Sequence, residues 1–585
     1  MMISSVTLIV FLGLLVLGVA RAGRRMISAR MVAPPMATEG PLQGKPRIVI
    51  LGGGFAGVYT ARALERALRN RNDFEIVLIS QDNYFTFQPM LPEVISGTIG
   101  LTDTVSPLRD LLSTTEVHVR EVLSVDLARR VVRTSPGFHP HAHEIAFDHL
   151  VLAMGSVTDF RGMRGLPEHA RPFKNLADAL SLRNHVIRAL AEAAIERHHP
   201  ALVDQLLTFV VAGGGFSGVE VAAELNDFVR AVGSRFRGLD TSRIRVILLH
   251  GQDRILPEIK PGLARFAHRI LTARGIEIRL NARLEAATAE AALLKGGERI
   301  ATRTLVSTVP SSPHPVLEAL DLPKARNGRV QVDGMLRAEG QPAIWALGDC
   351  AAALTPSGEP VPPTAQHATR QADVVAHNIV SALRGGEPRR FAFEGLGKMG
   401  SLGHRSAVAE ILGVQLSGFV AWFIWRTIYL LKLPGWGRRL KVAAAWTLDL
   451  FLPPDLVQLK LGSMHGINRE HFEPGEAVFH QGDLGDKLYI LLSGTADVIR
   501  NDTGGESRVL ARLTPGQFFG EAALLDEAGR SATVQCVTAA DVLSLPKREF
   551  GLLTQHLAGL RGNFEQTASQ RKAANEAQRH EVQSA

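Results

Sequence analysis

The chain has 585 residues, too many for one hydrophobic core, so two to four domains are expected. With 46% hydrophobic, 21% charged and 6% aromatic residues it has the composition of a globular enzyme, which excludes disorder, collagen and coiled coil as the main architecture. Its net charge of +8 suits anionic cofactors or an anionic membrane surface better than a dedicated nucleic-acid binder, and two cysteines, Cys350 and Cys536, exclude a disulfide framework and a cysteine-rich metal site.

The first segment, Ile3 to Ala20, is a run of 18 uncharged residues. As a helix it spans about 27 Å, enough for a bilayer core. Arg21, Arg24, Arg25 and Arg30 follow it and no basic residue precedes it, which places the rest of the chain in the cytoplasm if residues 1–22 form an anchor. Ala20-Arg21-Ala22 also has the form of a signal-peptidase site, without the basic stretch that should come before it. A start at Met31 or Met36 would leave no anchor. Residues 23–44, with Pro34, Pro35, Gly40, Pro41 and Gly44, read as a linker.

Arg47 to Leu51 reads as a buried parallel strand, Gly52-Gly53-Gly54-Phe55-Ala56-Gly57 follows at once, and Val58 to Arg69 continues as a helix. Gly52 permits the tight turn, Gly54 lets the backbone approach a pyrophosphate, and Gly57 lets helix and strand pack closely. The helix N-terminus then faces the phosphate charge. The pattern returns with the strand Leu207 to Ala212, the turn Gly213-Gly214-Gly215-Phe216-Ser217-Gly218 and a helix over Val219 to Ala231. A strand over Ala343 to Ala346 runs into Leu347-Gly348-Asp349-Cys350, and His149 to Leu152 runs into Ala153-Met154-Gly155.

This order resembles the two-dinucleotide-binding flavoprotein reductases. The resemblance implies that the first loop, Gly52 to Gly57 with Phe55 and Ala56, holds FAD, and that the second, through Gly213, Gly215 and Gly218, holds NADH or NADPH. It assigns Gly348 and Asp349 to the flavin's ribityl and phosphate region and Gly155 to the junction motif. The FAD-binding domain would come in two parts, 45–160 and 326–390, around an NAD(P)H-binding domain at 161–325. A hydride passes from nicotinamide to flavin N5, so the protein supplies alignment and exclusion of water.

Disulfide reductases and sulfide:quinone oxidoreductases need cysteines at the flavin. Only Cys350 lies near, alone after Asp349, so an acceptor without a thiol relay is preferred. Asn83 to Glu93, Ser96-Gly97-Thr98, Val105 to Arg109, Pro363 to Ala368, Ala407-Val408-Ala409 and Ser417 to Trp422 together resemble the type II NADH:quinone dehydrogenases. Covering about residues 45 to 460, this resemblance implies a homodimeric, non-pumping enzyme on one membrane face that reduces a membrane quinone. It places Gln366 on the quinone side and points Glu220 towards the nicotinamide; a carboxylate held by the helix dipole is the plain alternative for Glu220.

Departures from the family pattern matter. Where a second Gln is usual stands Arg370, with Gln371 next; a cation there either stabilises a quinone oxyanion or marks a different acceptor. Ser80 replaces the acid that would bind the FAD ribose, and His250 replaces its counterpart for NADH. His250 neither accepts reliably from a 2′-hydroxyl nor repels a 2′-phosphate, which leaves NADH and NADPH both open. Pro310-Ser311-Ser312-Pro313 also departs from the usual turn, with no consequence assigned.

Residues 391–460 contain two apolar runs, Phe419 to Leu433 with Arg426 inside it and Val442 to Leu452, separated by Lys432, Arg438, Arg439 and Lys441. Aromatic residues beside cations suit helices lying in the headgroup plane, against the alternative of internal packing helices. From 461 to 560, period-two runs broken by glycines predict a small β-roll. Phe518-Phe519-Gly520-Glu521-Ala522-Ala523 and Gly529-Arg530-Ser531-Ala532 resemble the phosphate-binding cassette of cyclic-nucleotide-binding domains. That implies Glu521 on a ribose 2′-hydroxyl and Arg530 on a cyclic phosphate, with Gly520 and Ser531 beside them and cAMP or cGMP as effector; packing or dimerisation is the alternative use. Residues 561–585 are a polar tail without a helix-turn-helix, so nucleic-acid binding is disfavoured.

The expectation is an α/β protein: two nested Rossmann-type domains, a membrane-facing helical segment and a C-terminal β-roll. Its expected activity is FAD-dependent NAD(P)H:quinone oxidoreduction at the cytoplasmic face of the membrane. The competing readings are a flavin reductase with a soluble acceptor and a slow-turnover redox or nucleotide sensor.

Overall fold

The computed structural model describes residues 45–69, 73–137, 142–160, 163–308, 311–449, 451–459, 468–472, 474–501, 507–525, 529–547, 549–551 and 566. The N-terminal apolar run, its linker, Pro310 and, apart from Gln566, the polar tail lie outside the described residues.

Two five-stranded parallel sheets frame the molecule. The first runs in the order Ile344–Ala346, His149–Leu152, Arg47–Leu51, Glu75–Ser80, Glu116–Val119. The second runs Ala170–Pro172, Thr304–Ser307, Thr208–Ala212, Arg245–Leu249, Ile276–Arg279. The chain leaves the first sheet after Leu152, builds the whole of the second, and returns at Ile344. Both glycine-rich loops follow the central strand of their sheet, and both central strands are buried along their length, as apolar runs covered on two faces must be. Ser156–Thr158 pairs antiparallel with Ser311–Pro313 where the chain crosses between the sheets.

One apolar cluster joins these parts, running from Ile48 and Leu78 through Val186 to Val211 and Phe228, and on to Val408, Leu433 and Trp446. The helices start earlier than apolar periodicity suggests: Phe55–Ala67 and Phe216–Gly233 each begin directly after the third glycine of their loop. The first turn lies at the loop, where Ala56-Gly57 and Ser217-Gly218 interrupt the hydrophobic pattern.

After the long helix Ala365–Arg384, an antiparallel meander of Gly397–Ser401, Ala407–Ile411 and Val414–Ser417 leads into two helices, Gly418–Lys432 and Trp436–Leu448. The second helix begins six residues before the apolar run does, because Pro434 and Gly435, at φ +87°, complete the turn. Arg438, Arg439 and Lys441 are therefore helical rather than a basic spacer. Ala421 and Trp425 pack on the meander, whereas Phe419, Val420, Phe423 and Leu431 are exposed. Among the described residues no helix is long and apolar enough to cross a membrane.

The C-terminal unit has two four-stranded antiparallel sheets. One orders Asn468–Phe472, Ala540–Pro546, Lys487–Ser493 and Phe518–Phe519, the other Ala477–Phe479, Thr533–Cys536, Ala496–Asn501 and Ser507–Leu513. Phe479, Tyr489, Leu491, Phe519, Val534 and Val542 fill the space between them.

Candidate active site

The first loop is shaped by what its glycines leave out. Gly52 sits at φ +111°, and a Cβ on Gly57 would run into the Gly52 carbonyl. Around Gly54, by contrast, a Cβ would meet nothing within 4 Å. The loop thus closes tightly on its own strand and opens at one glycine, beside the uncapped first turn of Phe55–Ala67. Ala56 is buried behind it, and Phe55 meets the Phe85 ring edge-on at 4.8 Å between centroids. Ser80, at the end of the neighbouring strand, lies against Gly53, so its hydroxyl underpins the loop.

Asp349 enters from the strand Ile344–Ala346. Its Oδ2 accepts from Ser156 Oγ at 3.0 Å, and Lys174 Nζ donates to the same hydroxyl at 2.6 Å. Burial pulls the Lys174 ammonium below the usual lysine range, while Asp349 and Asp178 work against that pull. Gly155, at φ +66°, faces open space beside this chain of contacts. Gly348 N–H donates to Gln371 Oε1 at 2.7 Å, and Gln371 Nε2 is buried without a partner among the described residues. Lys174, Ser156 and Gln371 were not legible as site residues, because each acquires its neighbours across domain crossings. Cys350 donates to the carbonyls of Leu152 and Leu347 at 3.1 Å each, and burial pushes its thiol up to about 11, so it is held protonated.

The second loop repeats the construction. Gly213 sits at φ +122°, a Cβ on Gly218 would overlap the Gly213 carbonyl, and Gly215 lies near the Glu258 carboxylate. His250 Nδ1 accepts from Gly214 N–H at 3.1 Å. Burial lowers the pKa of this ring, so it is neutral, and with Nδ1 accepting its proton sits on Nε2.

Gln366 and Arg370 both lie on the helix Ala365–Arg384, one turn apart. Gln366 Nε2 donates to Gly397 O and its Oε1 accepts from Leu396 N–H, each at 3.0 Å, so the amide clamps the entry to the meander. The Arg370 guanidinium sits over the Phe393 ring at 4.3 Å. Both side chains tie the helix to the segment 393–397.

Glu220 Oε1 accepts from Ser401 N–H at 2.9 Å, and desolvation, with Glu93 nearby, pushes its carboxyl up to about 8. Glu224, one turn along the same helix, is buried and raised to about 8 for the same reason, with Glu93 and Asp227 adding to the rise. Glu93 is buried as well. It accepts from Trp446 Nε1 at 2.7 Å and faces Arg426 at 3.5 Å; burial raises its pKa against the pull of that cation. Arg426 lies over Trp422 at 4.4 Å and Trp446 at 4.5 Å. Glu93, Glu224 and Arg426 form a cluster that no local pattern announces.

In the β-roll, Arg530 is 3% exposed. Its Nη1 donates to Gly520 O at 2.6 Å and its Nη2 to Lys487 O at 2.7 Å, while the guanidinium stacks over Phe479 at 4.2 Å. Glu521 is buried at the start of the short helix Glu521–Leu525, and Ser531 is exposed. The cassette thus brings Gly520, Glu521 and Arg530 together, but the arginine fork is already bonded to backbone carbonyls.

Residues 46–372 match the pyridine nucleotide-disulphide oxidoreductase family, 396–452 the NDH2 C-terminal domain and 469–556 the cyclic nucleotide-binding domain. The chain is 33% identical over 408 residues to demethylphylloquinone reductase NdbB of Synechocystis sp., across 69% of this chain and 96% of that one. It is 31% identical over 442 residues to type II NADH:quinone oxidoreductase Ndh of Mycobacterium tuberculosis, across 73% and 92%. The structure of NDH2 from Plasmodium falciparum superposes with a TM-score of 0.66 at 19% identity, over 71% of this chain and 100% of that one.

Proposed function

Since the chain belongs to the type II NADH:quinone oxidoreductases, an NADH dehydrogenase with a cyclic nucleotide-binding domain appended, we propose that it carries electrons from NADH or NADPH through FAD to a membrane quinone. One observation carries this reading: two parallel sheets each present a glycine-rich loop at the end of the central strand, the first open at Gly54 and with Asp349 beside it. These residues fit FAD. Gly54 and Gly155 leave room for a close backbone approach, Phe55 and Ala56 start the helix whose N–H groups face a pyrophosphate, and Asp349 offers a carboxylate to hydroxyls. FAD, when bound, supplies a two-electron relay between dinucleotide and acceptor.

The protein's own part is positional. Gly213, Gly215 and Gly218 shape the turn that would meet the second dinucleotide, and Glu220, just past the first turn of that helix, accepts from Ser401 N–H. Lys174 and Ser156 hold Asp349 in place. Gln366 fixes the Leu396–Gly397 backbone on the acceptor side, and Arg370, drawn onto Phe393, supports that wall beside it. Cys350, bonded to backbone and held protonated, fits an acceptor reduced without a thiol relay. At His250 a neutral ring replaces an acid, so this position itself sets no like charge against the 2′-phosphate of NADPH, although the Glu258 and Asp253 carboxylates lie close by.

The exposed Phe419, Val420, Phe423, Leu431 and Leu448, on helices that carry Lys432, Arg438 and Lys441, with Phe451 just beyond them, suit seating in the headgroup plane of the cytoplasmic membrane face. A homodimer is the assembly expected of the family. In the β-roll, Glu521 and Arg530 would receive cAMP or cGMP, with the cyclic phosphate competing for the N–H groups now held by Gly520 and Lys487. The test is steady-state turnover of the purified, FAD-loaded full chain with a short-chain quinone, using NADH and NADPH, each with and without cAMP and cGMP. Electron transfer to ferricyanide with no quinone turnover would favour the soluble-acceptor reading; negligible turnover with either acceptor would favour the sensor.

A further inference from the structure

Behind Glu220 the molecule contains a cavity of about 300 Å³, roomy enough for several waters. It lies between the helix Phe216–Gly233, the segment 96–98, the meander turn at His404 and Arg405, and the two C-terminal helices. Glu224 lines it, and an outer rim of Asp227, Arg230 and Ala231 carries it to the surface. Glu224 and Glu220 are four apart on one helix, which sets their side chains as neighbours about 6 Å apart on one face. Glu93 interacts with both, so three carboxyls connect the cavity to the position where Glu220 meets Ser401.

We propose that this cavity and the Glu224, Glu93, Glu220 cluster supply the proton that quinone reduction takes from solvent, with Glu224 as the point of entry. The inference rests on the quinone-reductase reading. Its balance is NADH + H⁺ + quinone → NAD⁺ + quinol: the C4–H bond of NADH breaks with its electron pair, the quinone gains two electrons, and one of its two new O–H protons comes from water. That proton needs a route into a site from which bulk water is excluded.

The surroundings of Glu224 suit the task. On its own helix it faces Glu220 and Asp227, with Arg230 at the rim; Glu93 and Ser96 approach from the segment 92–96. His404 and Arg405 come from the meander turn, and Arg426 and Asp449 from the two C-terminal helices. Burial dominates over the Ser401 hydrogen bond at Glu220 and over the Arg426 cation at Glu224: both stay protonated to about pH 8, so each can give up a proton and regain it near neutrality. Arg426 stabilises a transient charge on Glu93 or Glu224.

The experiment uses FAD-loaded full chain: wild type, Glu224→Gln, Glu224→Asp, and Ala231→Phe, which crowds the rim without replacing an acid. Turnover is followed with a short-chain quinone and with ferricyanide, whose reduction consumes no proton. Quinone kcat of the wild type should fall as pH rises through about 8. Glu224→Gln should lower quinone kcat at least tenfold, with a larger solvent deuterium isotope effect, and leave the ferricyanide rate within about twofold; Glu224→Asp should recover much of the loss. Ala231→Phe should reproduce the selective loss even if Glu224→Gln folds poorly. Parallel loss of both activities in Ala231→Phe and Glu224→Gln would overturn the relay, as would an unchanged quinone kcat beside an active wild type. A wild type that reduces ferricyanide but no quinone would overturn the functional reading itself, and the relay with it.

Discussion

Replacing Arg530 by alanine is the natural way to ask whether the β-roll binds a cyclic nucleotide, and the structure says what else that change does. The side chain donates to Gly520 O and Lys487 O and lies on the Phe479 ring. Hydrogen bonds from a charged group contribute about 1.5–3 kcal/mol each, and a desolvated cation–π contact about 1–2. Against this stand the cost of burying the cation and the unpartnered Nε, so a net loss of about 3 kcal/mol is expected. Both carbonyls also lose their donor. Since 1.4 kcal/mol is a factor of ten, hydrogen exchange should become on the order of a hundredfold less protected in the strands Lys487–Ser493 and Thr533–Cys536 of the full chain. Lysine at this position, keeping charge without the fork, should fall between. Protection unchanged within twofold in the alanine variant would refute the reasoning and show that the fork contributes nothing to the roll. Loss of nucleotide binding in Arg530→Ala is therefore interpretable only beside that exchange measurement.

Gly57→Ala, which drives a methyl group into the Gly52 carbonyl, should yield protein without flavin, whereas Gly54→Ala should keep the apoprotein's melting temperature and lose flavin only on dilution; the absorbance ratio of flavin to protein reads both. His250→Glu should shift the NADH/NADPH ratio of kcat/KM towards NADH by on the order of tenfold, and an unchanged ratio would remove the charge argument. Glu220 and Glu224 bind protons in the folded state up to about pH 8 but ionise near 4.5 when unfolded, so the folded state holds more protons in between and stability falls as pH rises through that window. Urea unfolding at pH 5.5 and 8.5 should show this slope in the wild type and a shallower one in Glu224→Gln.

What the sequence discloses follows from how local each constraint is. The two loops are legible because positive φ and backbone contact demand glycine at Gly52, Gly57, Gly213 and Gly218 whatever lies elsewhere. The β-roll is legible for the same reason, its period-two runs ending at glycines such as Gly494 at φ +82°. Side-chain roles reach further along the chain and are harder to read. Gln366 stands on the helix the family pattern implies, yet its amide is engaged with Leu396 and Gly397, and spacing alone cannot announce that. One position decides Arg370 and Gln371: the first turns out onto Phe393, the second turns in to Gly348. Glu93 reads as part of a family segment, and its partners Trp446 and Arg426 lie more than three hundred residues away.

The bond from Trp446 to Glu93 has a practical corollary for anyone wishing to handle this enzyme without detergent. Amphipathic helices at a chain's periphery are commonly treated as removable handles. Here the pair is a structural plug: Val442 and Trp446 belong to the main apolar cluster, and Arg426 and Trp446 are the groups that satisfy an interior carboxylate. Cutting the chain ahead of Gly418 would open the body and strand Glu93, so a truncated form should be misfolded rather than merely unanchored. Repainting the outer rings and aliphatic tips, at Phe419, Val420, Phe423 and Phe451, is the route that leaves the plug in place.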